Sequence, residues 1–224
     1  MGVNFNSFIF GKTVDGLAIT AHRWENGDQP EVLILAGVHG DETEGVIAAQ
    51  GLLNALVNEY AFDINLTLVP AFNLDGVLNK NRLNSNGVDL NRNLPSKDWT
   101  REALKERYQP GPKPNSEPEN QALVTFLKEK NPVFVLSLHS WKPMLNVNGD
   151  CTKQAKAIHE ITGYSIEESI GYPTPGCLGT YCGLEQNMPT LTYEIERGQK
   201  PKEILSMHIP AILSCLKTFN KGDS

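Results

Sequence analysis

Apolar positions in this chain fall into short runs with two different periods. Leu17 to Trp24 reads as an edge strand, and Glu31 to Val38 as a central one. Asp63 to Phe72 is a second buried strand, and Val133 to Leu138, ending at His139, a third. Thr190 to Ile195 adds another. Near-continuous apolar runs of this length mark strands covered on both faces. Thr43 to Tyr60 instead spaces Val46, Ile47, Leu52, Leu53, Leu56 and Val57 as a helix does. Another helix passes through Leu123, Val124, Phe126 and Leu127 to Lys130, with Ser116 as its expected cap and Glu119 as the capping-box partner. Lys153 to Thr162 forms a short helix, and a last one follows Pro201, with Pro210 expected to kink it. Two stretches, Asn73 to Pro118 and Gly163 to Asn187, lack periodicity. Loops that long inside a compact domain are functional or disordered. Strands alternating with helices predict one α/β domain over 1–224, a mixed, mainly parallel sheet with helices on both faces.

Composition narrows the function classes. A chain of 224 residues can bury one substantial core. It is 40% hydrophobic and 21% charged, and it has no apolar run long enough to span a membrane. Met1 to Ser7 shows neither the cationic start nor the apolar core of a secretory signal, so the expected location is the cytoplasm. A net charge of −6 argues against nucleic acid and anionic membranes as partners. The four cysteines, Cys151, Cys177, Cys182 and Cys215, form no C-x-x-C pair and are expected as free thiols.

Candidate chemistry sits at the strand ends. His39 and Glu42 directly follow the apolar run Val32 to Val38, three residues apart and able to grip one cation. His139 ends another strand and completes two imidazoles and one carboxylate, the set that leaves a zinc position open for catalysis. Glu194 and Glu196 end a third strand, and period-2 alternation puts both on one face, so spacing does not choose the general base. Arg82 and Arg92 lie in an Asn-rich stretch from Asn79 to Asn93, suited to binding carboxylates. Asp89 in that stretch can orient a ligating histidine.

Taken in order, His39-x-x-Glu42, Asn73-x-Asp75-Gly76, Asp89-Leu90-Asn91-Arg92-Asn93, Leu138-His139-Ser140 and Thr192-x-Glu194 resemble the zinc carboxypeptidases of the carboxypeptidase A family. Leu33 to Glu42, Asn86 to Asn93, Ser116 to Leu123 and Gly171 to Gly176 are similar to the murein peptide amidase subgroup. The resemblance implies one zinc per chain on His39, Glu42 and His139, with Asp89 supporting His39. It implies Glu194 as general base and Arg82 as the group that polarises the scissile carbonyl. Asn91 and Arg92 would bind the substrate's terminal carboxylate, Ser140 would contact substrate, and Tyr172 would close over it. Cys177, Leu178 and Gly179 would line the specificity pocket. The implied substrate is a small peptide with a free carboxylate, cut at the γ-D-glutamyl to meso-diaminopimelate bond. Two departures stand out: Leu74 replaces the family's proline, and Asp41 replaces an arginine of pancreatic members. Two rival readings are an N-acyl amino acid deacylase of the aspartoacylase or succinylglutamate desuccinylase type and a non-catalytic carboxylate-peptide binding module.

Overall fold

The computed structural model describes residues 2–221; Met1 and residues 222–224 of the expected domain lie outside it. Eight strands make one mixed sheet: β1 (Asn4–Lys12), β2 (Ala18–Glu25), β3 (Glu31–Ala36), β4 (Asn65–Val69), β5 (Phe134–Trp141), β6 (Met144–Asn148), β7 (Ser165–Glu167) and β8 (Thr190–Glu196). Their spatial order is β1-β2-β4-β3-β5-β8-β6-β7. The four adjacent strands β4, β3, β5 and β8 run parallel, while β1 with β2, β2 with β4, and β6 with β8 pair antiparallel. The apolar runs account for this centre. On β3, Val32, Ile34 and Ala36 enter one core cluster while Leu33 and Leu35 enter the other, all fully buried. Such a strand has no face to leave in water.

Helices α1 (Thr43–Asn58), α4 (Thr152–Thr162) and α5 (Pro201–Lys217) cover the first face, and α3 (Pro118–Lys130) the second. A short α2 (Leu74–Asn79) follows β4. The expected α/β class and two-sided cover are both present. Because the central strands are parallel, the ends of β3, β5 and β8 open at one sheet edge, the place where open α/β sheets bind ligands.

The structure corrects three sequence expectations. The strand expected at the edge, now β2, lies inside the sheet because β1 pairs along it from Asn4 to Lys12. β1 interleaves Asn4, Asn6 and Ser7 with phenylalanines, and its one apolar run is the short Phe8 to Phe10. The Ser116 capping box does not form. Pro118 takes the first turn of α3, Ser116 Oγ donates to Glu117 Oε1 (2.6 Å), and Glu119 accepts instead from Val14 and Asn84. Proline at that position sets φ for helix entry and moves the start past Ser116. The stretch Asn73 to Pro118 also holds α2 and two single 3₁₀ turns, Leu90–Arg92 and Glu106–Tyr108.

His208 of α5 is fully buried between the Tyr193 hydroxyl and Gln199 Oε1, the latter at 2.7 Å. Burial lowers its pKa to about 4. The unfolded chain takes up that proton near pH ~6.5. Stability from this residue is therefore complete at pH 7 and declines as pH falls from 6.5 toward 4. At pH 5 the expected loss is about 2 kcal/mol, absent from His208→Gln, read by urea unfolding at pH 7.5 and 5.

Candidate metal centre and active site

Beyond β3 the chain turns through Gly37, Val38, His39 and Gly40 to Glu42, the residue before α1. The Glu42 amide donates to the His39 carbonyl (3.2 Å), closing a turn that brings both side chains to one side. Gly40 must lack a side chain: a Cβ there would lie 2.0 Å from the Gly76 main chain and 2.4 Å from the Asn81 carbonyl oxygen. Asn73 locks this contact. Its Nδ2 donates to the carbonyls of Val38 (3.4 Å) and Arg82 (3.2 Å), and its Oδ1 accepts from the Gly76 amide (3.0 Å). Leu74, where the family carries proline, is the first residue of α2, where an N–H has no helical partner in any case.

His39 Nδ1 lies 2.9 Å from Glu42 Oε1 and 3.1 Å from His139 Nδ1, and His139 Nδ1 lies 2.8 Å from Glu42 Oε2. Behind the rings, His39 Nε2 meets Asp89 Oδ1 (3.0 Å) and His139 Nε2 meets Ser137 Oγ (2.9 Å). Protons on the two Nε2 atoms leave both Nδ1 lone pairs facing the Glu42 carboxylate. Three acceptors converge with no donor among them, which is a cation's coordination set. Ligand atoms around tetrahedral zinc with ~2.0–2.1 Å bonds stand about 3.3 Å apart, close to this spacing. The residues fit zinc. All three are buried, as is Asp89. The charges agree. Burial and Arg82 oppose protonation of His39, yet Glu42 and Asp89 outweigh them and raise its pKa. Burial also works against the Glu42 and Asp89 anions, but the imidazoles hold Glu42, and His39 with Arg82 holds Asp89, well below the usual carboxylate range.

Glu194 lies two residues before the end of β8, directly opposite His139 of β5. It is buried, and its Oε2 makes no hydrogen bond. Burial pushes its carboxyl up to about 7, helped by the Glu42 charge and opposed by His139 and Arg82. Glu196, two residues on, is exposed. Arg82 donates from Nε to Asp89 Oδ2 (3.0 Å) and from Nη1 to Glu42 Oε1 (3.0 Å).

One cavity of about 370 Å³ collects His39, Glu42, Arg82, Asn91, Arg92, Ser140, Tyr172, Cys177, Gly179 and Glu194. Asn91 Oδ1 accepts from the Leu178 amide (2.9 Å), which turns the amide NH₂ free, and Ser140 Oγ donates to the buried Glu44 (2.6 Å). Tyr172 stacks on Tyr108 with ring centroids 6.1 Å apart and meets Trp141 edge-on. Leu178 departs from expectation: its side chain is buried in the core on the α3 side and does not line this cavity. All four cysteines are free and buried.

Sequence reading missed several lining residues. Tyr108 lies under three guanidiniums, those of Arg82, Arg92 and Arg107, at 5.2–5.7 Å. Only Arg107 is its sequence neighbour; Arg82 and Arg92 come from the distant Asn79 to Asn93 stretch, which nothing local to Tyr108 announces. Asn146 and Asn148 also line the cavity. They sit two apart on β6, and the period-2 pattern Met144 to Asn148 was the available signal. Lys105 and Arg197 complete the lining cations.

Strand ends that bring a cation-binding group, an unpaired buried carboxylate and guanidiniums to one cavity define a metal-dependent hydrolase. Residues 7–175 match the zinc carboxypeptidase family, and the chain belongs to it. Over 178 residues it is 34% identical to murein peptide amidase A of Escherichia coli K12, covering 72% of this chain and 69% of that one. Identity to murein peptide amidase A of Vibrio campbellii is 31% over 199 residues, 83% of this chain and 77% of the relative. Among solved structures, murein-tripeptide amidase from Escherichia coli O157 superposes with a TM-score of 0.80 at 25% identity, covering 95% of this chain and 92% of that one. Thrombin-activatable fibrinolysis inhibitor shares the fold at 18% identity and TM-score 0.78, with 96% of this chain and 70% of that one covered. The chain is a hydrolase of the zinc peptidase and amidase type. Glu194 lies beyond the family-matched segment, so its place rests on geometry. Among the described residues no helix is long and apolar enough to cross a membrane.

Proposed function

We propose that this protein hydrolyses the γ-D-glutamyl to meso-diaminopimelate bond of short murein peptides. One observation carries the reading: in a chain of net charge −6, five cations, Arg82, Arg92, Lys105, Arg107 and Arg197, line the cavity with Glu42 and Glu194, and remain in excess once Asp41 and Asp89, paired with them from outside the lining, are included. A field of that sign selects a substrate with several carboxylates. A γ-glutamyl-diaminopimelate amide carries them on both sides of the scissile bond. The similarity to murein peptide amidases supports the same class.

In this mechanism His39, Glu42 and His139 hold one zinc ion, and Asp89 fixes the His39 ring by accepting from Nε2. Zinc supplies Lewis acidity, polarising a carbonyl and making water a nucleophile near neutral pH. Asn91 and Arg92 hold the leaving-side carboxylate and so fix the amide in place. Glu194 accepts the proton of the attacking water and returns it to the leaving amine. Arg82 keeps Nε on Asp89 and offers Nη1 to the carbonyl oxygen as negative charge develops there; loss of one such donor costs ~10²–10³ in rate. Ser140 meets the substrate through its main chain, and Tyr172 closes the mouth. Four free cysteines fit the reducing cytoplasm.

The test is incubation of zinc-loaded protein with L-Ala-γ-D-Glu-meso-diaminopimelate and mass spectrometry for free diaminopimelate. Parallel arms contain ordinary C-terminal dipeptides, N-acetylaspartate and N-succinylglutamate. Release of diaminopimelate in preference to every other product is expected. Cleavage of the dipeptides or the acyl amino acids without diaminopimelate release would remove the assignment.

A further inference from the structure

Arg197 is a cavity cation with no task in the chemistry above. It follows β8, three residues past Glu194. Its main-chain N–H donates to the Trp141 carbonyl at the end of β5 (3.0 Å), so the residue is anchored to the sheet. Its Nη2 donates to the Asp41 carbonyl (2.8 Å) and lies 3.2 Å from Asp41 Oδ2. Asp41 sits inside the His39 to Glu42 turn, and Arg107 approaches the same carboxylate oxygen at 3.9 Å. The side chain of Arg197 is 40% exposed, and its Nε and Nη1 hydrogens have no partner among the described residues. Asp41 thus fixes the guanidinium at one corner and leaves two charge-assisted donors to the cavity.

The carboxylate site on the leaving side is built elsewhere. Asn91 and Arg92 belong to the Leu90–Arg92 turn, held by the Leu178 amide. Arg197 is held by the β3 and β5 ends instead, beside the metal ligands and the base. A substrate with carboxylates on both sides of its amide calls for two separated cation sites, and the cavity has them.

We propose that Arg197, positioned by Asp41, binds a carboxylate on the acyl side of the scissile amide. In the γ-linked glutamate this is the α-carboxylate, three carbons from the scissile carbonyl. The assignment rests on the murein reading and names the residue that distinguishes a γ-linked glutamate from a plain acyl chain.

An enzyme-by-substrate cycle tests it. One substrate is L-Ala-γ-D-Glu-meso-diaminopimelate. The other replaces D-glutamate with 4-aminobutanoate, which keeps the chain length and lacks only the α-carboxylate. Arg197→Gln is expected to lower kcat/KM about 10–100-fold on the first and less than about threefold on the second, with Arg197→Lys between. Equal losses on both substrates, or none on the first, overturn the role of Arg197. No turnover of either by the unsubstituted protein, with dipeptides still cleaved, is a third pattern; it removes the murein reading and this assignment together.

Discussion

Glu194→Gln is expected to lower kcat by ~10²–10⁴ while zinc content and KM change by less than about threefold. Glutamine keeps the shape of the side chain and loses only its capacity to take a proton. Position favours this outcome. Glu194 Oε2 is buried in the cavity without a hydrogen-bond partner, so no structural contact is lost in the exchange. Its carboxyl is pushed up to about 7, chiefly by burial. The deprotonated form is the working base, so kcat/KM should rise with pH through that group's pKa. A cation in the adjacent site pulls the midpoint below 7. In Glu194→Gln this acid limb should disappear along with the rate. A variant retaining a tenth or more of the activity and the same acid limb would assign the base to another group.

The candidate metal ligands were legible because each follows an apolar run. His39 and Glu42 come just after the central strand, and His139 follows Leu138 within β5, two residues before its end. The proposed base was legible only as a pair. Period-2 alternation puts Glu194 and Glu196 on one face, and spacing cannot say which of them the sheet covers. Register separates them: Glu194 lies opposite His139, Glu196 opposite Trp141 and in solvent. Residues whose meaning comes from distant partners were not legible. Tyr108 matters through Arg82 and Arg92, which a distant stretch brings over its ring, and Arg197 through Asp41, 156 positions away. The elements missed were those with the least apolar signal: β1, β6 and the three-residue β7.

Charge links the fold to the choice of substrate. Asp41, which stands where pancreatic members carry arginine, does not empty that side of the cavity of positive charge. It recruits Arg197 and Arg107 from two other segments. Positive charge reaches that side of the cavity from positions 107 and 197. A sequence comparison of position 41 alone would read it as a loss.

His139→Ala should release the metal. Structural zinc sites bind with ~10–16 kcal/mol shared among their ligands, so losing one of three should weaken binding by ~10²–10³ or more. The remaining Nδ1 of His39 and the Glu42 carboxylate cannot enclose a cation alone. The effect should also appear as stability. Zinc at a thousand times its dissociation constant stabilises the fold by ~4 kcal/mol. For a chain of this length that corresponds to a Tm shift of about 8–16 °C. Stripping with a chelator should therefore lower the Tm of the unsubstituted protein by that amount and leave His139→Ala nearly unmoved. Metal analysis should find one zinc per chain in the former and far less in the latter. His159→Ala serves as the control: its Nδ1 meets only the Tyr164 carbonyl (2.8 Å), away from the cavity, so zinc and the chelator shift should both persist. If His139→Ala keeps its zinc and its chelator response, the convergence of three acceptors at the strand ends is not the metal site.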